Sequence, residues 1–422
     1  MNILIIGEGG RESAILQKIY NSKNTTNIFI APGNGGTERY ATKINIKSDN
    51  ITQLASFALE NKIDLTIVGP EIPLSLGIVD YFQSKGLKIF GPSKNASRIE
   101  GSKSFAKNLM KEFNIPTAKY QIFNDVNLAM KYIETLDTFP VVVKADGLAA
   151  GKGVYIVNNL DEANNSIKDL MDTQVFGESG KTIVIEEYIN GKEFSVFAFT
   201  DGVEIKALLS ACDYKKAYDN DEGPNTGGMG SYSPAPEFTE TNKQYIVSKI
   251  IKPTLKALEQ KESKFVGVLY CGLILTTKGI YVIEFNCRLG DPETQVVIPT
   301  LNCDLIELIE SCLGKTNFKF VKPKIENKAV GVVLSSNGYP NKYAINKKIS
   351  INNTYSKNNS YIFHAGTKKY NGNLVTSGGR VLTVVGTGNS INQARNLAYK
   401  LCDNVNFENK FYRKDIAKNI KD

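Results

Sequence analysis

The sequence of 422 residues contains one histidine, His364, and six cysteines, with no C-x-x-C pair among them. A structural zinc centre needs cysteine and histidine ligands at short spacing, so it is excluded. No Ser/His/Asp or Cys/His pairing is evident either, because one imidazole would have to serve every candidate nucleophile. A lone imidazole on a strand, as in Phe363-His364-Ala365-Gly366, reads first as structural. The cysteines (Cys212, Cys271, Cys287, Cys303, Cys312, Cys402) lie far apart and read as free thiols in a reducing compartment. No apolar run approaches the roughly 18 residues that a membrane helix needs. The opening run Ile3 to Ile6 lacks a basic leader and is too short for a secretory signal. A cytoplasmic protein without a membrane partner is expected.

What is present is ordinary for a folded chain: 42% hydrophobic, 22% charged and 9% aromatic residues. At roughly 150 residues per domain the length predicts about three domains. The net charge of +8 is unevenly placed. Between Lys315 and Lys369 stand eleven lysines and a single acidic residue, Glu326, a local net of +10. These lysines sit among Asn, Ser and Ile without interleaved stacking aromatics, so nucleic acid is not an expected partner. The block reads as a solvated face, with an electropositive wall for phosphorylated small molecules as the alternative.

The first hundred residues alternate strand and helix. Strands are predicted at Asn2 to Ile6, Asn27 to Ile30, Asp64 to Val68 and Leu87 to Phe90, with a helix from about Glu12 to Tyr20. Alternation of this kind implies a parallel sheet, and ligands bind beyond the carboxyl ends of such strands. The turns at Gly7, Ala31-Pro32-Gly33, Gly69-Pro70-Glu71 and Gly91-Pro92 fall there. Ser102 is the predicted cap of a helix carrying Ala106, Leu109, Met110 and Phe113. Further strands are predicted at Val141 to Ala145, Thr182 to Ile189, Glu193 to Phe199, Val266 to Thr276, Ile280 to Cys287, Ala329 to Leu334 and Arg380 to Gly386. A helix over Asp304 to Leu313 ends at Gly314.

The sharpest chemical pattern lies in Ile280 to Arg288. Strand alternation puts Glu284, Asn286 and Arg288 on one face and Ile283, Phe285 and Cys287 on the other. A carboxylate and an amide oxygen about 7 Å apart at their Cα atoms suit magnesium holding nucleotide phosphates; a polar face merely meeting water fits the pattern equally. The turn that follows, Leu289 to Glu293, adds Asp291 and Glu293. The glycine-rich loop Asp146 to Gly153 follows an apolar strand ending in Lys144. Its backbone N–H groups, with Lys144 and Lys152, suit phosphate. It matches neither G-x-x-x-x-G-K-S/T nor a dinucleotide fingerprint, and a flexible connection competes with the phosphate reading. The lysine at a strand end, however, calls for an anionic partner. Of Glu186 and Glu187 only one can face a given pocket, and Glu193 could meet a ribose. The stretch Gly223 to Gly230 can wrap a small ligand, with Asn225 and Thr226 offering hydrogen bonds, or form a plain turn. Gly7 to Glu12 couples a tight turn to a helix start, an anion site to which Arg11 adds charge.

These blocks in this order resemble the phosphoribosylamine–glycine ligase (glycinamide ribonucleotide synthetase) family of the ATP-grasp superfamily. The resemblance rests on Gly9-Gly10-Arg11-Glu12, Ala31-Pro32-Gly33-Asn34, Val68-Gly69-Pro70-Glu71, Gly101-Ser102-Lys103, Lys144 to Gly153, Gly223 to Gly230, Glu284 to Glu293 and His364-Ala365-Gly366-Thr367. It implies an α/β (α+β overall) ATP-grasp fold with an amino-terminal parallel α/β domain (1–101), an ATP-grasp domain (102–324) with a small lid (about 118–190), and a carboxy-terminal domain (325–422). The implied reaction joins glycine to 5-phosphoribosylamine through glycyl phosphate, giving glycinamide ribonucleotide, ADP and phosphate in purine synthesis. A different ATP-grasp carboxylate–amine ligase, or a non-catalytic nucleotide binder, are the competing readings.

Carried onto this sequence, the resemblance implies Glu284 and Asn286 as ligands of Mg2+ or Mn2+. ATP would be held by Lys103, Lys144, Gly147, Gly151, Lys152, Gly153, Glu186, Glu187, Tyr188 and Glu193. The substrates would meet Gly10, Arg11, Glu12, Glu71, Asp213, Asn225, Thr226, Gly227, Gly228 and Arg288. Catalytic roles fall to Arg288, Lys152 and Asn225. A monomer is expected. Two positions depart from the family: Ser13 stands where histidine is common, and Asp213-Tyr214-Lys215-Lys216 replaces Asp-His-Lys-Arg, which loses a guanidinium fork at Lys216.

Overall fold

The computed structural model describes residues 1–149, 153–314, 327–352 and 359–420. Strands β1 (Asn2–Gly7), β2 (Asn27–Pro32), β3 (Thr42–Lys43), β4 (Leu65–Val68) and β5 (Ile89–Phe90) form a parallel sheet in the order β3-β2-β1-β4-β5. β1 and β4 are continuous apolar runs because helices cover both faces. Strand order reverses beside β1, so a crevice opens beyond Gly7 and Val68. The first helix starts at Gly10, two residues before the expected Glu12. A Cβ at Gly7 or Gly69 would run into the Glu12 carboxyl, so these glycines make room for that side chain.

The helix Lys103–Glu112 begins as expected, with the Ser102 hydroxyl accepting the Phe105 N–H. Beyond it, β6 (Tyr120–Phe123), β7 (Val141–Ala145), β8 (Val154–Val157) and β9 (Ile183–Glu187) make an antiparallel sheet ordered β6-β9-β7-β8. Helices Val126–Glu134 and Leu160–Met171 back it. Ala129, Ile133, Val143, Ile167, Leu170 and Ile185 give this unit an apolar cluster of its own.

The rest is built on one large sheet. After β10 (Lys192–Thr200) and β11 (Ile205–Asp213) comes a hairpin, β12 (Lys216–Tyr218) and β13 (Glu222–Asn225), and then β14 (Gly230–Ser233). β15 (Gly267–Thr276), β16 (Gly279–Asn286) and β17 (Lys328–Ser336) follow. The order β16-β15-β10-β11-β14-β17 continues into Arg380–Gly388 and Ser360–His364. β14 pairs with β17, Ser231 opposite Gly331, so the third region extends the core sheet instead of hanging from a linker. Helix Leu305–Cys312 is capped by Asp304 and followed by Gly314 at φ 88°, as the sequence predicts.

One expectation fails. Gly272 pairs with Glu284 but Leu273 pairs with Val282, which leaves Ile283 as the extra residue of a β-bulge. The bulge shifts the alternation by one position. Val282, Phe285 and Cys287 are buried in the core, while Ile283 turns to the crevice side with Glu284. Ile283 therefore does not share the face of Phe285 and Cys287. No helix among the described residues is long and apolar enough to cross a membrane.

Candidate active site

The end of β16 brings Glu284 and Asn286 together, the amide donating to the carboxylate. Burial opposes ionisation of Glu284, but Lys215, Lys144 and Lys103 around it outweigh that cost and hold its carboxyl below the usual range. Glu284 lines a crevice of about 210 Å³ with Glu193, Asp213, Lys215, Tyr270 and Ile283. Lys215 and Glu193 pair at 2.7 Å across it. Asp213, under burial and the nearby Glu193, has its carboxyl raised despite Lys215. A carboxylate beside an amide oxygen, ringed by ammonium groups, fits a hard cation that also takes oxygens from a polyphosphate.

The lysine expected to seek an anion finds one within the protein. Lys144, buried at the end of β7, lies 3.0 Å from Glu186 Oε1, and Lys107 lies 2.9 Å from Oε2. Lys107 also donates to Thr117 Oγ1 at 2.7 Å. Burial lowers the Lys107 ammonium to about 8 even though Glu186 opposes the shift. Glu186 is buried, whereas Glu187 is exposed and accepts the Lys119 N–H at 2.9 Å. The strand thus sends one glutamate inward, and Tyr188 stands exposed beside it. Lys103 Nζ donates to the Gly147 carbonyl at 3.0 Å, and Asp146 accepts from the Ser104 N–H, so the loop is anchored to the helix start. A Cβ at Gly147 would crowd Ser179, and one at Gly153 would crowd Ala149. Gly151 and Lys152 lie outside the described residues.

Arg288 does not share a face with Glu284 as strand alternation predicts: β16 ends at Asn286, the chain turns, and the guanidinium opens onto a different crevice. Its guanidinium spans Glu71 at 3.2 Å and Glu100 at 2.8 Å. Burial raises the Glu100 carboxyl, with Arg288 pulling against it, while Arg288 and Arg11 keep Glu71 low in spite of burial. Arg11 is tied to the Glu12 carboxylate and donates to the Leu289 carbonyl at 3.1 Å. Glu12 itself is filled by Arg11 and the Gly9 N–H, so it shapes the turn. The Gly9 and Arg11 amides face the carboxylates of Glu12 and Asp291, which narrows the room for an anion at Gly10.

Asn225 ends β13, and Thr226 donates back to the Lys215 carbonyl. Gly227 and Gly228 run against Arg380 and Pro292 respectively. His364 packs on Gly36, its ring nitrogen 3.2 Å from Thr367 Oγ1, and burial lowers it to about 4. Ser13 accepts the His364 N–H at 3.1 Å, so this departure serves an interdomain contact. Tyr214 accepts the Ala417 N–H at 2.9 Å and lies under Arg413. Among the described residues no group of three or more His, Cys, Asp or Glu side chains could hold a metal ion. Glu284 and Asn286 would need phosphate oxygens to complete a coordination shell.

Sequence reasoning missed Glu100, Lys107 and Arg380. Lys107 carried a usable signal, since it stands four residues after Lys103 on one helix; Glu100 and Arg380 carried none.

A cleft of three glutamates and several lysines between a four-stranded antiparallel unit and a large antiparallel sheet defines an ATP-grasp enzyme, and solved structures bear out the fold. The biotin carboxylase domain of Hydrogenobacter thermophilus 2-oxoglutarate carboxylase matches with a TM-score of 0.75 at 15% identity, covering 97% of this chain and 91% of that one. Phosphoribosylamine–glycine ligase from Thermotoga maritima matches with a TM-score of 0.86 at 32% identity, covering 99% and 100%. The N domain of phosphoribosylglycinamide synthetase matches residues 1–100, its ATP-grasp (A) domain 101–294 and its C domain 329–419. The phosphoribosylamine–glycine ligase of Caldanaerobacter subterraneus is 47% identical over 99% of both chains. The chain belongs to the phosphoribosylglycinamide synthetase family.

Proposed function

We infer that this chain is a ligase that joins the carboxyl group of glycine to the amine of 5-phosphoribosylamine, with ATP giving ADP and phosphate, in purine biosynthesis. Full-length identity to phosphoribosylamine–glycine ligases supports the reaction, and the ionised Glu284 beside Asn286 amid three lysines is the observation that carries the chemistry.

A glycine carboxylate oxygen attacks the γ-phosphorus, ADP leaves, and the sugar amine then attacks the acyl carbon of glycyl phosphate to displace phosphate. No side-chain nucleophile is required. Lys103 and Lys144 hold phosphate oxygens, and Gly147, Gly151, Lys152 and Gly153 of the segment from Asp146 to Gly153 are the further ATP contacts of this reading. Glu186, Glu187, Tyr188 and Glu193 border the adenine and ribose. Glu284 and Asn286 would hold Mg2+ or Mn2+, which supplies charge neutralisation at the phosphates. Arg288 steadies the acyl phosphate. Gly10, Arg11 and Glu71 border the phosphoribosyl group, and Asp213 with Asn225, Thr226, Gly227 and Gly228 borders the amine. Residues about 118–190 act as a lid that excludes water from the labile intermediate. The enzyme works in the cytoplasm as a monomer.

ADP release measured with glycine and phosphoribosylamine, against a panel of other acids and amines, tests this reading. Turnover dependent on both named substrates is expected; turnover indifferent to glycine would refute the substrate assignment.

A further inference from the structure

We propose that the third domain positions the acceptor loop: Arg380, seconded by Tyr339, latches Gly227 onto the Asp291 turn and so sets the affinity for the phosphoribosylamine acceptor. The proposal rests on the ligase reading above.

Arg380 Nη1 donates to the Gly227 carbonyl at 2.6 Å and to the Asp291 carbonyl at 2.8 Å, and it lies 3.2 Å from Asp291 Oδ1. One nitrogen therefore joins the stretch that leads into β14 to the turn that follows the edge strand β16. Tyr339, from the same domain, accepts the Gly227 N–H at 2.9 Å, so both backbone polar groups of Gly227 are held from outside. The mount is rigid. Arg380 opens a strand paired to β17, opposite Ser335, and a Cβ at Gly379 would strike the Tyr339 ring, so only glycine lets the two latch residues approach. Asp291 in turn faces the Arg11 N–H and is held in its charged form by Arg380 and Arg11 against its burial.

The same domain grips the hairpin that precedes this stretch. Arg413, fully buried, donates to the Lys216 carbonyl at 3.1 Å and to Asp221 at 2.8 Å. Arg413 thus holds the hairpin turn and Arg380 the stretch that leads into β14, with Asn225 and Thr226 between them. The Arg380 side chain is 23% exposed, and the hydrogen bonds it makes to Gly227 and Asp291 both run through Nη1. Arg380 is a positioning residue: it acts through Gly227 and Asp291.

Steady-state kinetics on the full chain, with phosphoribosylamine generated in situ from ribose 5-phosphate and ammonia, provide the test. In Arg380→Gln the KM for phosphoribosylamine is expected to rise about tenfold or more, with the KM for ATP and for glycine changed less than about twofold. Arg380→Lys keeps one charged donor and should recover part of the loss. Tyr339→Phe removes a single hydroxyl and should raise the same KM by about threefold at an unchanged Tm. An acceptor KM unmoved in both Arg380→Gln and Tyr339→Phe overturns the proposal, as does a parallel rise in all three KM values with a fall in Tm. Should Arg380→Gln fail to fold, Tyr339→Phe decides. Wild-type enzyme without glycine-dependent turnover would instead remove the ligase reading on which the latch rests.

Discussion

On the side of the cleft proposed to hold the nucleotide, positive charge is carried by lysine: Lys103, Lys107, Lys144 and Lys215 stand among Glu186, Glu193 and Glu284. On the acceptor side it is carried by arginine: Arg11 on Glu12, Arg288 on Glu71 and Glu100, Arg380 on Asp291. The two side chains do different work. An ammonium is a compact point charge that re-pairs easily and titrates when desolvated, whereas a guanidinium is a permanent fork of fixed geometry. Lysines suit a polyanion that arrives and leaves with each turnover. Arginines hold loops from three regions of the chain in one arrangement through the whole cycle. The burial costs differ accordingly: Lys103 and Lys107 are lowered by desolvation, while Arg288 and Arg380 are held charged by carboxylates that outweigh it.

The largest effect belongs to the carboxylate at the meeting point of the lysines. Glu284→Ala leaves three ammonium groups without their shared counter-charge and removes a metal ligand. Turnover should fall by about a thousandfold or more, while circular dichroism stays that of the wild type. Near-normal ADP release would show that the lysine side is not organised around Glu284. Next comes a swap across the comparison. Arg288→Lys keeps the charge but cannot span Glu71 and Glu100 together, so one buried carboxylate is left without its donor. A loss of about a hundredfold in kcat/KM is expected, and a change below threefold would mean that the fork is dispensable.

The smallest effect is a pH dependence confined to the lysine side. Lys107 is lowered to about 8, so below that pH it is charged and shares Glu186 with Lys144; above it the pair is lost and Glu186 is left to Lys144 alone. The field that Lys144 offers to phosphate then weakens. The wild-type KM for ATP should rise a few-fold as pH climbs through about 8, and in Lys107→Met it should be high and flat across that range. A wild-type KM that stays level between pH 7 and 9 would remove Lys107 from the nucleotide side.

Much of this was legible before any coordinates. Apolar runs ending in glycine turns at Gly7 and Gly69 announced a parallel sheet and its carboxyl edge, because a strand buried on both faces has no polar position to spare. Ser102, Asp304 and Gly314 marked helix ends through local hydrogen-bonding chemistry alone. The donor set Glu284 and Asn286 was visible from its spacing on one strand. The place of Ile283 was not, since a bulge is set by the pairing partner, here the Gly272–Leu273 step of β15. Nor did spacing reveal that Lys144 would be satisfied by Glu186, or that Glu187 would turn outward to Lys119.

The sequence by itself determined the local vocabulary: which segments are strands, where helices start and stop, and which oxygen donors and cations are available. These follow from neighbours a few residues apart, whose steric and hydrogen-bonding preferences act before the chain is folded. Only the tertiary structure decided who partners whom. Glu100 with Arg288 and Lys107 with Thr117 are pairs that burial makes obligatory, because a desolvated charge must find a partner in whatever the fold brings within reach.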